Sequence, residues 1–201
     1  MEAKLSLRLA TADDIDFVTA VIDTVSEGVV ENLFAGFMPG KSGADMLAIA
    51  FGRSMEPYAP ENVILAELDG KIVGMCFAYD VKHQQIPALM ESFLEAKRIN
   101  PVRPLLTASF PDALWVNTLW TDASVRGRGL GQLMIRAAES RAREAGLKYL
   151  ALNCWADNSR GQDFYAKAGF TEKGRIPLAG KVAERHPAGG ILLVKPLEVA
   201  A

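Results

Sequence analysis

Of 201 residues only two are cysteines, Cys76 and Cys154, and only two are histidines, His83 and His186. The cysteines lack metal-ligand spacing, and one bridge is a poor scaffold for a chain this long. They read as two reduced core thiols of a cytoplasmic protein, with no metal expected. Both histidines fall in segments that read as loops, so both are expected to face solvent. No apolar run approaches 18 residues, so no membrane-spanning helix is expected. The opening MEAKLSLRLATADD has no apolar stretch of the kind a secretion signal needs. An excess of one charge is missing too: 22 Lys and Arg against 24 Asp and Glu leave a net charge of −2. No global field therefore recruits nucleic acid or an acidic membrane, and any anion site must be local.

The rest of the composition is that of an ordinary globular protein. A chain of this length should bury roughly 70% of its unfolded surface, enough for one good core. A single domain over 1–201 is expected, and two copies could pair as a homodimer. LSLRLA alternates like a strand, and Thr11 or Asp13 then offers a helix N-cap. Ile15, Val18, Ile22 and Val25 recur at helical spacing, with Glu27 and Glu31 carried on the same helix. After the break FMPGKSG, ADMLAIAFGRSM reads as a second helix. NVILAEL and KIVGMCFAYD flank Asp69-Gly70, a strong hairpin signal. Residues 83–111 hold a helix and a proline-punctuated loop, an elaboration that interrupts the sheet near a binding face. DALWVNTLWTD (112–122) is a strand, and the apolar positions of 130–145 follow helical spacing up to Gly146. LKYLALNC is an apolar strand parallel to the first, reached by a right-handed crossover. A helix over NSRGQDFYAKAG and two antiparallel strands, GFTEKGRI and GGILLVKPL, complete the chain.

SVRGRGLG (124–131) lies between a strand and a helix N-terminus. The first helical amides there lack partners, and the macrodipole is positive. Bare backbone at Gly127, Gly129 and Gly131 lets an anion approach, and Arg126 and Arg128 add charge, so the stretch suits a phosphate. No Gly-Lys-Ser/Thr follows as a P-loop requires, and Gln132 stands where the dinucleotide fingerprint needs its third glycine.

Arg126-x-x-Gly129-x-Gly131 resembles the acyl-CoA signature of the GNAT superfamily of N-acyltransferases. The resemblance extends upstream to Leu119, Trp120 and Thr121, and downstream to Asn158, Tyr165 and the segment Ala168-Gly169-Phe170. It implies a mixed α/β fold, with a mostly antiparallel twisted sheet, a central splayed parallel strand pair and flanking helices. It also implies acetyl-CoA as co-substrate. The diphosphate would lie on amides over Val125, Arg126, Gly127, Arg128, Gly129, Leu130 and Gly131, and the pantetheine arm beside Leu119–Thr121. Leu152–Cys154 would form the opposite wall, Asn158 would touch the cofactor, and Tyr165 would be the acid for the departing thiolate.

The family often places Glu or His on the strand ahead of the motif, facing the amine. Here Trp115, Asn117 and Leu119 are expected on that face. Asn117 accepts no proton at ordinary pH but can position a water. Asp112 and Asp122 read as solvated turn carboxylates. The expectation is therefore an enzyme without an obligatory base, which transfers acetyl directly to a primary amine of a small molecule or peptide. The acceptor is expected between 15–56 and 83–111. A CoA-binding module with vestigial transfer activity is the alternative, and a nucleotide-phosphate enzyme is a third reading.

Overall fold

The computed structural model describes residues 4–198. β1 (Leu5–Leu9) is the alternating LSLRL. A 3₁₀ turn over Ala12–Asp14 follows, and α1 (Ile15–Ser26) buries Val18 and Ile22 as its spacing requires. α1 does not run on to Glu31. Glu27 (φ 47) and Gly28 (φ 104) are left-handed and end it, so Glu31 sits on a separate α2 (Val29–Phe34). α3 (Gly43–Gly52) is capped by Ser42, whose Oγ accepts from Asp45 N at 3.1 Å.

β2 (Val63–Leu68) and β3 (Lys71–Asp80) form the expected hairpin. Asp69 (φ 52) and Gly70 (φ 78) both take the positive φ that a tight hairpin turn demands. Residues 83–111 carry three short helices, two more than expected: α4 (Ala88–Phe93), α5 (Ala96–Ile99) and α6 (Arg103–Thr107). Then come β4 (Ala113–Thr121), α7 (Leu130–Glu144), β5 (Tyr149–Trp155), α8 (Ser159–Lys167), β6 (Thr171–Ile176), an unforeseen α9 (Gly180–Arg185) and β7 (Gly190–Pro196).

The seven strands form one sheet in the order β1-β2-β3-β4-β5-β7-β6. Every pairing is antiparallel except β4 with β5. One face packs against α1–α3, the 83–111 helices and α9; the other packs against α7 and α8. Ile99 (1% exposed) and Val102 (0%) are inside the first core, so the 83–111 segment is structural as well as peripheral. Among the described residues no helix is long and apolar enough to cross a membrane.

A buried carboxylate pins the first strand to the first helix. Arg8 Nη1 and Nη2 donate to the two oxygens of Asp14 at 2.7 and 2.9 Å, and Arg8 Nε donates to Glu67 on β2 at 2.8 Å. Asp14 Oδ2 also accepts from Thr11 N and Oγ1. The Arg8 hydrogen bonds hold the Asp14 carboxyl well below the usual carboxylate range. A depressed folded-state pKa stabilises the fold above the unfolded value near 3.8, and that stability is lost as pH falls through the folded value. Acid unfolding of wild type should therefore show a component below about pH 4 that is absent in Asp14→Ala. At pH 7 that variant should lose about 1–3 kcal/mol, as for hydrogen bonds to a charged group. Urea titrations at pH 7 and pH 3 check both points.

Candidate active site

β4 and β5 pair over only three residue pairs, Ala113–Trp115 against Tyr149–Ala151. Beyond them β5 stays with β7 and β4 stays with β3, so the two parallel strands part into a wedge. Backbone groups facing the wedge from 116–121 and 152–155 have no ladder across the gap. A linear ligand carrying amides can add itself there as a strand would.

β4 also carries a bulge. Its register against β3 jumps from Phe77↔Thr118 to Ala78↔Val116, leaving Asn117 as the extra residue. One extra residue shifts the side-chain alternation beyond it to the opposite face. Trp115, Asn117 and Leu119 are therefore not on one face as alternation predicts. Trp115 and Trp120 pack on the α1 side, whereas Leu114, Val116 and Leu119 pack on the α7 side. Asn117 is exposed in the bulge, with Nδ2 donating to Tyr79 Oη at 3.2 Å and Oδ1 accepting from Thr118 Oγ1 at 3.0 Å.

The glycine stretch begins where β4 ends. Asp122 caps a 3₁₀ turn, Ala123–Val125, through Ser124 N at 2.9 Å. Asp112 pairs with Lys148 at 3.0 Å, so both carboxylates are turn groups. Val125 and Leu130 bury their side chains in the core and anchor an exposed loop, Arg126–Gly129. Gly127 (φ 77) and Gly129 (φ 80) are left-handed with open space around them. Gly131 is needed for a different reason: a Cβ there would stand 3.1 Å from the Phe164 ring of α8. Leu133 N is the first amide bonded within α7, to Gly129 O at 3.0 Å. The amides of Leu130, Gly131 and Gln132 precede it and have no acceptor in the helix. Arg126 folds back, donating from Nε to Thr121 O at 3.3 Å, while Arg128 remains exposed.

The Phe164–Gly131 contact seats α8 beside the loop. Asn158 caps α8, its Oδ1 accepting from Gly161 N at 2.9 Å. Tyr165 is half-buried, edge-on to Phe164 and Phe170 at 5.2 and 5.4 Å. Burial raises its phenol above the ordinary value of 10, with smaller contributions from Cys154 and Cys76, so it keeps its proton at neutral pH. Both cysteines are free and buried, and burial pushes the thiols up to about 11 for Cys154 and about 12 for Cys76. Neither is a ready thiolate.

Asn117, Cys154, Asn158 and Tyr165 line one cavity of about 250 Å³. Its far walls are apolar, from Val29, Leu33 and Phe34 on α2 to Met90, Leu105 and Leu106 of the 83–111 segment. A polar chain that sequence reading missed ties those walls to the sheet. Tyr79 Oη donates to Gln84 Oε1 at 2.7 Å, and Gln84 Nε2 and Asn153 Nδ2 both donate to Leu105 O at 3.4 and 3.1 Å. Among the described residues no lysine or arginine lines the cavity, and its ionisable residues besides the phenols and Cys154 are Glu27 and His83.

Neither histidine is a free surface group. His83 is half-buried in a 3₁₀ turn, 3.8 Å from Glu56. His186 is 4% exposed and lies flat on Trp155, with centroids 4.0 Å apart and planes at 1°. Its Nδ1 is 3.0 and 3.1 Å from the Asp157 oxygens, and its Nε2 is 3.5 Å from Glu27 Oε2. α9 turns it inward, with His186 N donating to Val182 O at 2.8 Å. Glu27, Asp157 and His186 are far apart in the chain, so no local pattern could signal them. No cluster of three or more His, Cys, Asp or Glu able to hold a metal occurs among the described residues.

Comparison with known proteins agrees with this geometry. A glucosamine 6-phosphate N-acetyltransferase of Oryza sativa subsp. japonica is 40% identical over 58 residues, covering 29% of this chain and 33% of that relative. The chain thus matches only a third of that relative's length. An N-acetyltransferase from Staphylococcus aureus Mu50 has the same fold, with TM-score 0.66, 17% identity and coverage of 94% of this chain and 99% of the other. So has an N-acetylglutamate synthase from Neisseria gonorrhoeae, solved with coenzyme A and N-acetylglutamate, with TM-score 0.57, 16% identity and coverage of 99% and 36%. The family described as "Acetyltransferase (GNAT) family" matches residues 30–170, well over half of the sequence. This chain belongs to the GNAT family of acetyltransferases.

Proposed function

We propose that the protein is an acetyl-CoA-dependent N-acetyltransferase that moves acetyl directly to a primary amine borne on an apolar body. The wedge carries the reading: the glycine loop opens α7 beside it, and the apolar cavity is lined by residues of both its strands. Free amides at 130–132 and the open left-handed glycines fit a diphosphate. The unpaired edge of Leu119–Thr121 fits an amide-bearing arm. Acetyl-CoA would supply an activated acyl carbon whose leaving group is a thiolate. Tyr165 then donates its phenolic proton toward the sulfur, Asn158 holds the start of α8, and Asn117 orients a water beside the amine. Direct transfer needs no enzyme nucleophile, and the raised thiols of Cys76 and Cys154 are poorly suited to be one.

The acceptor class follows from the cavity lining. An acceptor carrying a phosphate would bury two negative charges against walls that, among the described residues, hold no lysine or arginine. Glucosamine 6-phosphate, the acceptor for which the rice relative is named, is therefore a poor fit. With acetyl-CoA present, hexylamine and phenylethylamine should release free thiol, and glucosamine 6-phosphate should release none above the amine-free rate. Thiol release with the phosphorylated sugar alone would overturn the acceptor class. Release with no amine, despite CoA binding by calorimetry, would overturn the transferase reading.

A further inference from the structure

We propose that Glu27, held by the buried His186–Asp157 pair, receives the acceptor's ammonium group and takes its proton. The proposal rests on the transferase reading. It assigns a base to an enzyme whose β4 lines the cavity with Trp115, Val116, Asn117, Thr118 and Leu119, none of them a carboxylate or an imidazole.

Three observations carry it. Glu27 lines both the apolar cavity and a second, outer groove with Asp157, Arg185 and His186, so it stands where acceptor and solvent sides meet. Among the described residues it is the only carboxylate in the cavity lining. His186 Nε2 is a buried nitrogen with no hydrogen-bond partner, and Glu27 Oε2 stands 3.5 Å away. Nδ1 sits within hydrogen-bond distance of both Asp157 oxygens, so it is the nitrogen that carries the proton. Nε2 then points a lone pair toward a carboxylate. One proton, on Nε2 or on Glu27, would join the two in a hydrogen bond. The pair is therefore built to accept one proton. Trp155, flat against the imidazole, fixes the ring so that this nitrogen keeps its aim.

The proton balance is simple. An ammonium acceptor, R-NH₃⁺, gives one proton to Glu27, which shares it with His186 Nε2, while Asp157 steadies the cation. The neutral amine nitrogen attacks the acetyl carbon, the N–C bond forms and the C–S bond breaks. The nitrogen loses its second proton to the water at Asn117, and the thiolate takes one from Tyr165. Tyr165 recovers a proton through that water, and the proton shared by Glu27 and His186 leaves to solvent. Glu27 is 41% exposed and Asp157 39%, so the outer groove is open to that exit. Glu27 is the catalytic residue; His186 and Asp157 position it. The other charged groups nearby are Arg185, whose Nη1 approaches Gly28, and His83 with Glu56 across the cavity. Asp23 and Glu31, on α1 and α2, interact with each other.

The test compares hexylamine with a fluorinated analogue whose ammonium is markedly more acidic. If Glu27 takes the proton in the complex, the ascending limb of kcat/KM against pH belongs to the protein and is the same for both amines. Glu27→Gln should lower kcat/KM at pH 7 by roughly 10²-fold or more. It should also make the limb follow each amine's own pKa, with CoA affinity unchanged by calorimetry. His186→Phe, which keeps the stack on Trp155, should shift the wild-type limb. A limb that tracks the acceptor in the wild type, or a Glu27→Gln profile that overlays it, overturns the proposal. An independent readout uses the imidazole NMR signals of the two histidines with CoA bound. Adding hexylamine should move the His186 signal in wild type and leave it unmoved in Glu27→Gln. An unmoved signal in an active wild type also overturns the proposal. A moved signal without any thiol release overturns the transferase reading while leaving Glu27 as the amine's receptor.

Discussion

Tyr165→Phe should lower turnover by roughly 10²–10⁴ while CoA affinity stays within about twofold. The ring contacts to Phe164 and Phe170 are unchanged in the variant, and the Tyr165 hydroxyl hydrogen-bonds no other described residue. Folding therefore loses almost nothing when the oxygen is removed. What is lost is a proton donor kept protonated by burial in the cavity that also holds Asn117 and Cys154. Without it the thiolate must leave unprotonated or wait for a water. Cys154 does not substitute, because its Sγ–H is directed at a backbone carbonyl, Trp155 O, at 3.6 Å. Single-turnover thiol release isolates the chemical step from product release. A rate within twofold of wild type in that assay removes Tyr165 from the mechanism.

Gly129→Asp should weaken CoA by at least tenfold, about 1.4 kcal/mol, with the fold retained. At φ 80 an aspartate is among the least strained replacements for glycine, and no atom within 4 Å opposes its Cβ. The variant thus adds a carboxylate at the N-terminus of α7, where the diphosphate is expected to sit, without a packing defect. Gly129→Ala is the control, because it carries the backbone strain and no charge. If the loop holds the diphosphate, the aspartate variant should be distinctly weaker than the alanine variant, and the gap should shrink as salt is raised. Equal affinities for the two variants by calorimetry would move the anion site elsewhere. Gly131 is not a usable probe of the same site, since any side chain there first meets Phe164 and would disturb α8.

Sequence by itself determined the features that depend on neighbours in the chain. Asp69-Gly70 had to turn because both residues tolerate positive φ, and α7 had to bury Met134 and Ala138 because their spacing puts them on one stripe. The loop at 126–131 was legible because left-handed glycines and free helix amides are local properties. The same holds for Asn158, which caps its own helix three residues on. Tertiary structure alone decided the acceptor side. The bulge at Asn117 comes from the register of β3 against β4, and nothing in the alternation of LWVNTLW reveals it. α1 ends at Glu27 because two left-handed residues turn the chain toward α2, although the helical spacing of apolar residues leads straight to that point. α9 follows Ala179, whose amide is held by Pro101 O at 3.1 Å, and α9 in turn points His186 inward toward Asp157 and Glu27. The bulge and the direction of His186 each depend on a partner remote in the chain. A sequence shows which conformations a segment tolerates, but a side chain's direction into a shared cavity is set only when distant segments pack against one another.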